Sequence, residues 1–128
     1  MSKNNKFYIC EHCGNIVEVI NDSGVNVVCC GEKMKKLEAG VVEASREKHI
    51  PVVSVDGNIV KVTVGSVLHP MSEEHSILWV YLESDKGIQR KPLSAGEVPE
   101  AVFALSEGER PIAAYAYCNL HGLWKVDI

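Results

Sequence analysis

Residues 52–64 read Val-Val-Ser-Val-Asp-Gly-Asn-Ile-Val-Lys-Val-Thr-Val, two β-branched runs on either side of Asp56-Gly57-Asn58. An Asp-Gly pair between such runs is a strong short-range signal for a β-hairpin, because the tight turn that follows strand twist needs a left-handed backbone. The pattern continues downstream. Residues 76–82 lead through Ser84-Asp85-Lys86-Gly87 to 88–93, residues 101–105 lead through Ser106-Glu107-Gly108 to 112–117, and a last run covers 123–128. About seven short strands with frequent turns predict a β-sandwich of immunoglobulin-like size. Trp79 and Trp124 are read as sandwich core. Tyr115 and Tyr117 alternate with alanines and so share one strand face, where packing is the expected role. No long amphipathic helix and no internal repeat are found.

Upstream of a break near Lys36 to Gly40 the chemistry changes. Four of the five cysteines fall in the first 30 residues, and the fifth is Cys118. Short runs at 7–9, 16–20 and 25–28, with Asn21-Asp22-Ser23-Gly24 between the last two, predict a small hairpin unit. It has too few apolar side chains for a core of its own, so something else must hold it. Cys10-Glu11-His12-Cys13-Gly14 is a CxxC turn, and Cys29-Cys30-Gly31 follows it. Four thiolates converging tetrahedrally suit zinc or a single iron, and ligand type alone leaves both open. Adjacent Cys29 and Cys30 must distort the tetrahedron. His12, between the turn cysteines, is expected to face solvent.

Composition bounds the rest. With 128 residues, 46% of them hydrophobic, the chain is an ordinary globular protein and too short for a large multidomain enzyme. Thirteen Lys and Arg against seventeen Asp and Glu give a net charge of -4, which argues against a nucleic-acid partner. The start carries no apolar stretch of signal-peptide length, and the longest later apolar run, 77–82, is far short of a membrane span. A cytoplasmic location is expected, where cysteines serve as metal ligands more readily than as disulfides.

A second constellation centres on Cys118-Asn119-Leu120-His121-Gly122, a turn that puts a thiolate and an imidazole within reach of one metal. His49, His69 and His75 all fall at predicted strand ends or turns. Pro70 biases His69 toward an extended backbone, and His75 follows across a short polar turn. Five donors exceed what zinc takes. Four imidazoles around a plane with one thiolate beneath suit a five-coordinate iron with an open face, and the thiolate pushes electron density toward whatever binds there. Main-chain amides near Leu120 and His121 are placed to donate to the Cys118 sulfur and tune it.

Tracts over nearly the whole chain then carry a resemblance: YxCxxCGNIVEV from Tyr8, VCCG from Val28, EKHIPV from Glu47, VGSVLHPM from Val64, EEH from Glu73, PEAVFAL from Pro99 and YCNLHGLW from Tyr117. The sequence resembles the desulfoferrodoxin family, the two-iron form of superoxide reductase. That resemblance implies an all-β protein. A small rubredoxin- or desulforedoxin-like unit, residues 1–37, binds a first iron through Cys10, Cys13, Cys29 and Cys30. An immunoglobulin-like β-sandwich, residues 38–128, carries the catalytic iron on His49, His69, His75 and His121, with Cys118 axial. It further implies one-electron reduction of superoxide to hydrogen peroxide, a rubredoxin-like electron donor and a homodimer. By the same resemblance Lys48 is expected to steer the anion and Glu47 to close the sixth position of ferric iron. Strict alternation would put Glu47 and His49 opposite Lys48, so this segment must curl. The rivals are a pure electron carrier and a zinc-stabilised binding module; a blue-copper carrier ranks last because no Met follows His121.

Overall fold

A computed structural model describes residues 5–128; the first four residues, which open the expected 1–37 domain and the stretch read for a leader, lie outside them. The described residues fall into two compact units, one ending at Glu38 and the other starting at Ala39.

In the first unit, β1 (Lys6–Ile9) pairs antiparallel with β2 (Ile16–Val19) and with β5 (Lys35–Lys36), and β3 (Val28–Cys29) pairs with β4 (Glu32–Lys33). The CxxC turn is therefore itself the β1–β2 hairpin connection: Cys10 N–H donates to the Asn15 carbonyl and Gly14 N–H to the Cys10 carbonyl, both at 2.8 Å. This corrects the expected pairing of 16–20 with 25–28. The Asn21–Gly24 turn exists, with Gly24 N–H on the Asp22 carboxylate at 2.8 Å. The flanking runs, however, have no apolar face to bury, and Ile20 and Val25 stand 93% and 77% exposed. Only Val28 of the predicted third run is in a strand. Cys30 and Gly31 are the two central residues of the β3–β4 hairpin, since Cys29 pairs with Glu32. Both have positive φ, 52° and 76°, as a type I′ turn demands. Cys30 thus takes a left-handed conformation that few non-glycine residues adopt, and this is how two adjacent cysteines both reach one point.

In the second unit, a single helical turn α1 (Arg46–His49) precedes β6 (Pro51–Asp56), β7 (Ile59–Val64), β8 (Ile77–Ser84), β9 (Ile88–Pro92), β10 (Glu100–Ala104), β11 (Pro111–Cys118) and β12 (Gly122–Asp127). The sheets run β10-β7-β6 and β12-β11-β8-β9. Between them pack Val60, Val62, Val64, Val80, Leu82, Phe103, Ala114 and Ala116, and Cys118 closes one end of this cluster. All seven expected strands form, and the Glu47–His49 segment curls as one turn of helix. Trp79 and Trp124 are buried but lie outside the cluster. Trp79 shares the outer face of its sheet with Tyr81, Tyr115 and Tyr117, and its ring stacks on Tyr117 at 5.7 Å.

Register places the site. Pro51 pairs with Val64, and Cys118 pairs with both Ile77 and Gly122. The start of β6, the end of β7, the start of β8 and the β11–β12 turn therefore all lie at one end of the sandwich. His49, His69, His75, Cys118 and His121 lie at or next to those strand ends.

Candidate metal centres

In the first unit the sulfurs of Cys10, Cys13, Cys29 and Cys30 lie within 4.8 Å of one another, and none is in a disulfide. Main-chain N–H groups of Cys13 and His12 in the turn hold the Cys10 thiol down at about 6, while bonds to the neighbouring sulfurs push Cys30 up to about 12. Four thiols this close cannot ionise together without a cation among them. His12 is exposed and faces Glu32 at 3.1 Å, outside the sulfur group, as expected.

In the sandwich the four imidazoles form a closed ring. Centroid distances run 4.6 Å from His49 to His69, 4.6 Å from His69 to His75, 5.0 Å from His75 to His121 and 4.9 Å from His121 to His49. His49 and His75 face each other across it at 6.4 Å. Each ring stands nearly perpendicular to its neighbours, at 77° to 86°. His49 Nε2 is 3.1 Å from both His69 Nε2 and His121 Nδ1. A square of that edge puts its corners about 2.2 Å from the centre, close to a metal–imidazole bond. The donor atoms of His49, His75, Cys118 and His121 lie within 4.8 Å of one another. His69 joins through its contacts to His49 and His75.

The surroundings prepare these nitrogens as ligands. His49 Nδ1 and His69 Nδ1 each lie 2.6 Å from a main-chain carbonyl, those of Ser45 and Pro70. Nδ1 must carry the proton to donate there, which leaves Nε2 with a lone pair turned inward. Two such lone pairs at 3.1 Å repel unless a cation sits between them. His75 Nε2 is buried and has no hydrogen-bond partner among the described residues, a cost that a metal bond removes. Burial drives His69 down to about 4 and lowers His49 and His75, so these rings stay neutral. Burial raises the Cys118 thiol, and the amides of Leu120 and His121 oppose that rise, as the sequence predicted. Cys118 Sγ lies 3.9 Å from His121 Nδ1. The donor set fits a metal, and four sulfurs in one unit and imidazoles with a thiolate in the other both suit iron.

Exposure is uneven around the centre. His49, His69 and Cys118 are buried, His75 and His121 half-buried, and Glu47 and Lys48 exposed. The positive charge of Lys48 contributes to lowering both His49 and His75, so it acts on rings from two different elements.

Several residues that hold this arrangement escape a reading of the sequence. Asn119 fastens both neighbours of His75: its Oδ1 accepts from Ser76 N–H at 3.0 Å and its Nδ2 donates to the Glu74 carbonyl at 2.9 Å. The Glu47 carbonyl accepts from Val67 N–H at 2.9 Å and from the Ser66 hydroxyl at 3.2 Å. A Cβ on Gly65 would lie 2.5 Å from that same oxygen and 2.9 Å from the Ile50 carbonyl, so only glycine lets α1 sit this close. Trp124, expected in the core, packs instead against the His49 ring at 5.0 Å. An asparagine inside the CNLHG turn and a lone glycine between β7 and His69 are the only traces such roles leave in a sequence.

An all-β chain with a four-cysteine group in a small unit and a ring of four histidines over a buried cysteine at the end of a sandwich defines a protein with two distinct metal centres. The desulfoferrodoxin family model matches residues 41–127, and the model of the desulfoferrodoxin N-terminal domain matches residues 2–37. Desulfoferrodoxin of Nitratidesulfovibrio vulgaris is 47% identical over 122 residues, covering 95% of each chain. The crystal structure of the superoxide reductase from Treponema pallidum superposes with a TM-score of 0.83 at 42% identity, over 98% of this chain and all of that one. A superoxide reductase (1Fe-SOR) from Giardia intestinalis matches with a TM-score of 0.56 at 30% identity, over 64% of this chain and 97% of its own. The chain belongs to the desulfoferrodoxin family.

Proposed function

We propose that the chain is a superoxide reductase. The closed ring of four inward imidazoles over a buried thiolate, with a lysine at its solvent side, carries this reading. His49, His69, His75, His121 and Cys118 would hold one iron, and Cys10, Cys13, Cys29 and Cys30 the other. Iron bound there would supply the one-electron reducing chemistry that superoxide requires, with an external donor restoring it.

The chain's own residues do the remainder. Lys48 draws the anion toward the open side of a protein whose net charge of -4 otherwise repels it. Two protons from water ordered beside the Lys48 ammonium complete hydrogen peroxide, so that superoxide, one electron and two protons balance. Cys118, fed by amide hydrogen bonds and sealed from water, favours delivery of the electron outward. Glu47, on the same turn as Lys48, brings its carboxylate to the open side after the electron has left. The Giardia intestinalis superoxide reductase, a 1Fe-SOR aligned over 64% of this chain, supports placing the chemistry in the sandwich.

A rubredoxin-like protein is the proposed donor, the cytoplasm the proposed location, where unpaired cysteines persist, and a homodimer the proposed assembly. No helix among the described residues is long and apolar enough to cross a membrane. The test is anaerobic mixing of reduced, iron-loaded protein with superoxide. Stoichiometric peroxide with loss of ferrous iron is expected; oxygen evolved beside the peroxide would mean dismutation instead.

A further inference from the structure

Trp124 makes contacts that a core residue does not need. Its indole packs against the His49 imidazole with centroids 5.0 Å apart and planes tilted by 33°. Its Nε1–H donates to the His121 main-chain carbonyl at 3.1 Å. His49 ends α1 and His121 lies in the β11–β12 turn, 72 residues away in the chain, yet their facing nitrogens are 3.1 Å apart. One side chain, 2% exposed, touches both.

The two donors need this for different reasons. His49 is anchored through Nδ1 to the Ser45 carbonyl, which fixes one edge of the ring and leaves its faces to be held by packing. His121 turns Nδ1 to the centre, so the carbonyl anchor used by His49 and His69 is not open to that atom. We propose that Trp124 is a positioning residue for the His–Cys centre: its ring contact fixes the plane of His49 and its Nε1–H bond fixes the main chain that carries His121. The two nitrogens are then held at bonding separation before any metal arrives. The inference rests on the reading of His49 and His121 as ligands of one metal.

The test loads the full chain with ferrous iron and titrates it anaerobically with a chelator, following each centre by its own spectrum. Trp124→Leu removes both contacts and is expected to weaken iron at the His–Cys centre about 10- to 100-fold, leaving the four-cysteine iron unchanged. Trp124→Phe keeps a ring against His49 and loses only the hydrogen bond, for a loss of about fivefold and a changed ferric paramagnetic resonance signal. Phe103→Leu, a core change away from the centre, is expected to lower Tm without altering either affinity. If Trp124→Leu does not fold, Trp124→Phe decides. Wild-type affinity and signal in the Trp124 variants, or an equal loss in Phe103→Leu, would overturn the proposal. A wild-type chain that retains iron only at the four cysteines would overturn the ligand reading beneath it, and the proposal with it.

Discussion

The two units gather metal donors by opposite means. In the first, four sulfurs come from two tight hairpin turns, and among the described residues the only buried apolar side chains are Phe7, Cys10 and Met34. In the sandwich, five donors come from four separate segments, and a continuous core of valine, leucine, phenylalanine and alanine brings their strands together. The small unit is local in sequence and lacks a core, so metal must be part of its fold. The sandwich folds on its apolar faces and presents the histidine ring at one end. Metal is structural capital in one unit and a guest in the other.

The largest expected break in this comparison is metal removal. Stripping both irons should unfold the unit ending at Glu38 and leave the sandwich folded. Limited proteolysis checks it, with cleavage confined to the residues before Ala39. Cleavage throughout the sandwich as well would erase the contrast. The converse is Phe103→Ala, which removes a fully buried ring from between the sheets. It should destabilise the sandwich by about 3–5 kcal/mol, while the visible absorption of the four-cysteine iron survives the sandwich melt in a thermal scan.

Much of this was legible beforehand. All seven sandwich strands followed from β-branched alternation and turn residues, because both act locally and the sheets then bury what alternates. Cys10, Cys13, Cys118 and His121 were legible because CxxC and CxxH spacings impose a turn. Cys29, Cys30, His49, His69 and His75 carry no such local signal and were read from their place at predicted turns and from the family resemblance. The pairing of the first unit was not: the Asn21–Gly24 turn looked like a hairpin connection, and only the sulfur turn at Cys10–Cys13 fixes which strands meet. Trp124 was hidden for a related reason, since burial alone does not distinguish a core indole from one pressed against a ligand.

Smaller effects sharpen the comparison inside the sandwich. Gly65→Ala forces a methyl onto the Glu47 carbonyl and should displace α1, slowing superoxide capture about tenfold in stopped-flow with both irons retained. Asn119→Ala releases both neighbours of His75 and should cost about 1–3 kcal/mol, visible as a lower Tm and easier loss of the His–Cys iron alone. The smallest effect is acid sensitivity. Asp22 is held below its ordinary value by Lys6, and Glu109 by the Ser84 hydroxyl. Each therefore adds stability above the ordinary carboxylate range that fades as pH falls through its lowered value. Asp22 is exposed and Glu109 half-buried at the surface, so Asp22→Asn and Glu109→Gln should flatten the acid limb of a stability profile only slightly, each in its own unit.

The account stands most directly on the five donors that converge at the end of the sandwich. X-ray absorption of the reduced, fully loaded chain, repeated on Cys118→Ser, measures that convergence. It should find two irons, one bound by four sulfurs and the other by four imidazole nitrogens with one sulfur, and the substitution should remove only that single sulfur. Two all-sulfur irons, or a second iron with fewer than four imidazoles, would contradict it.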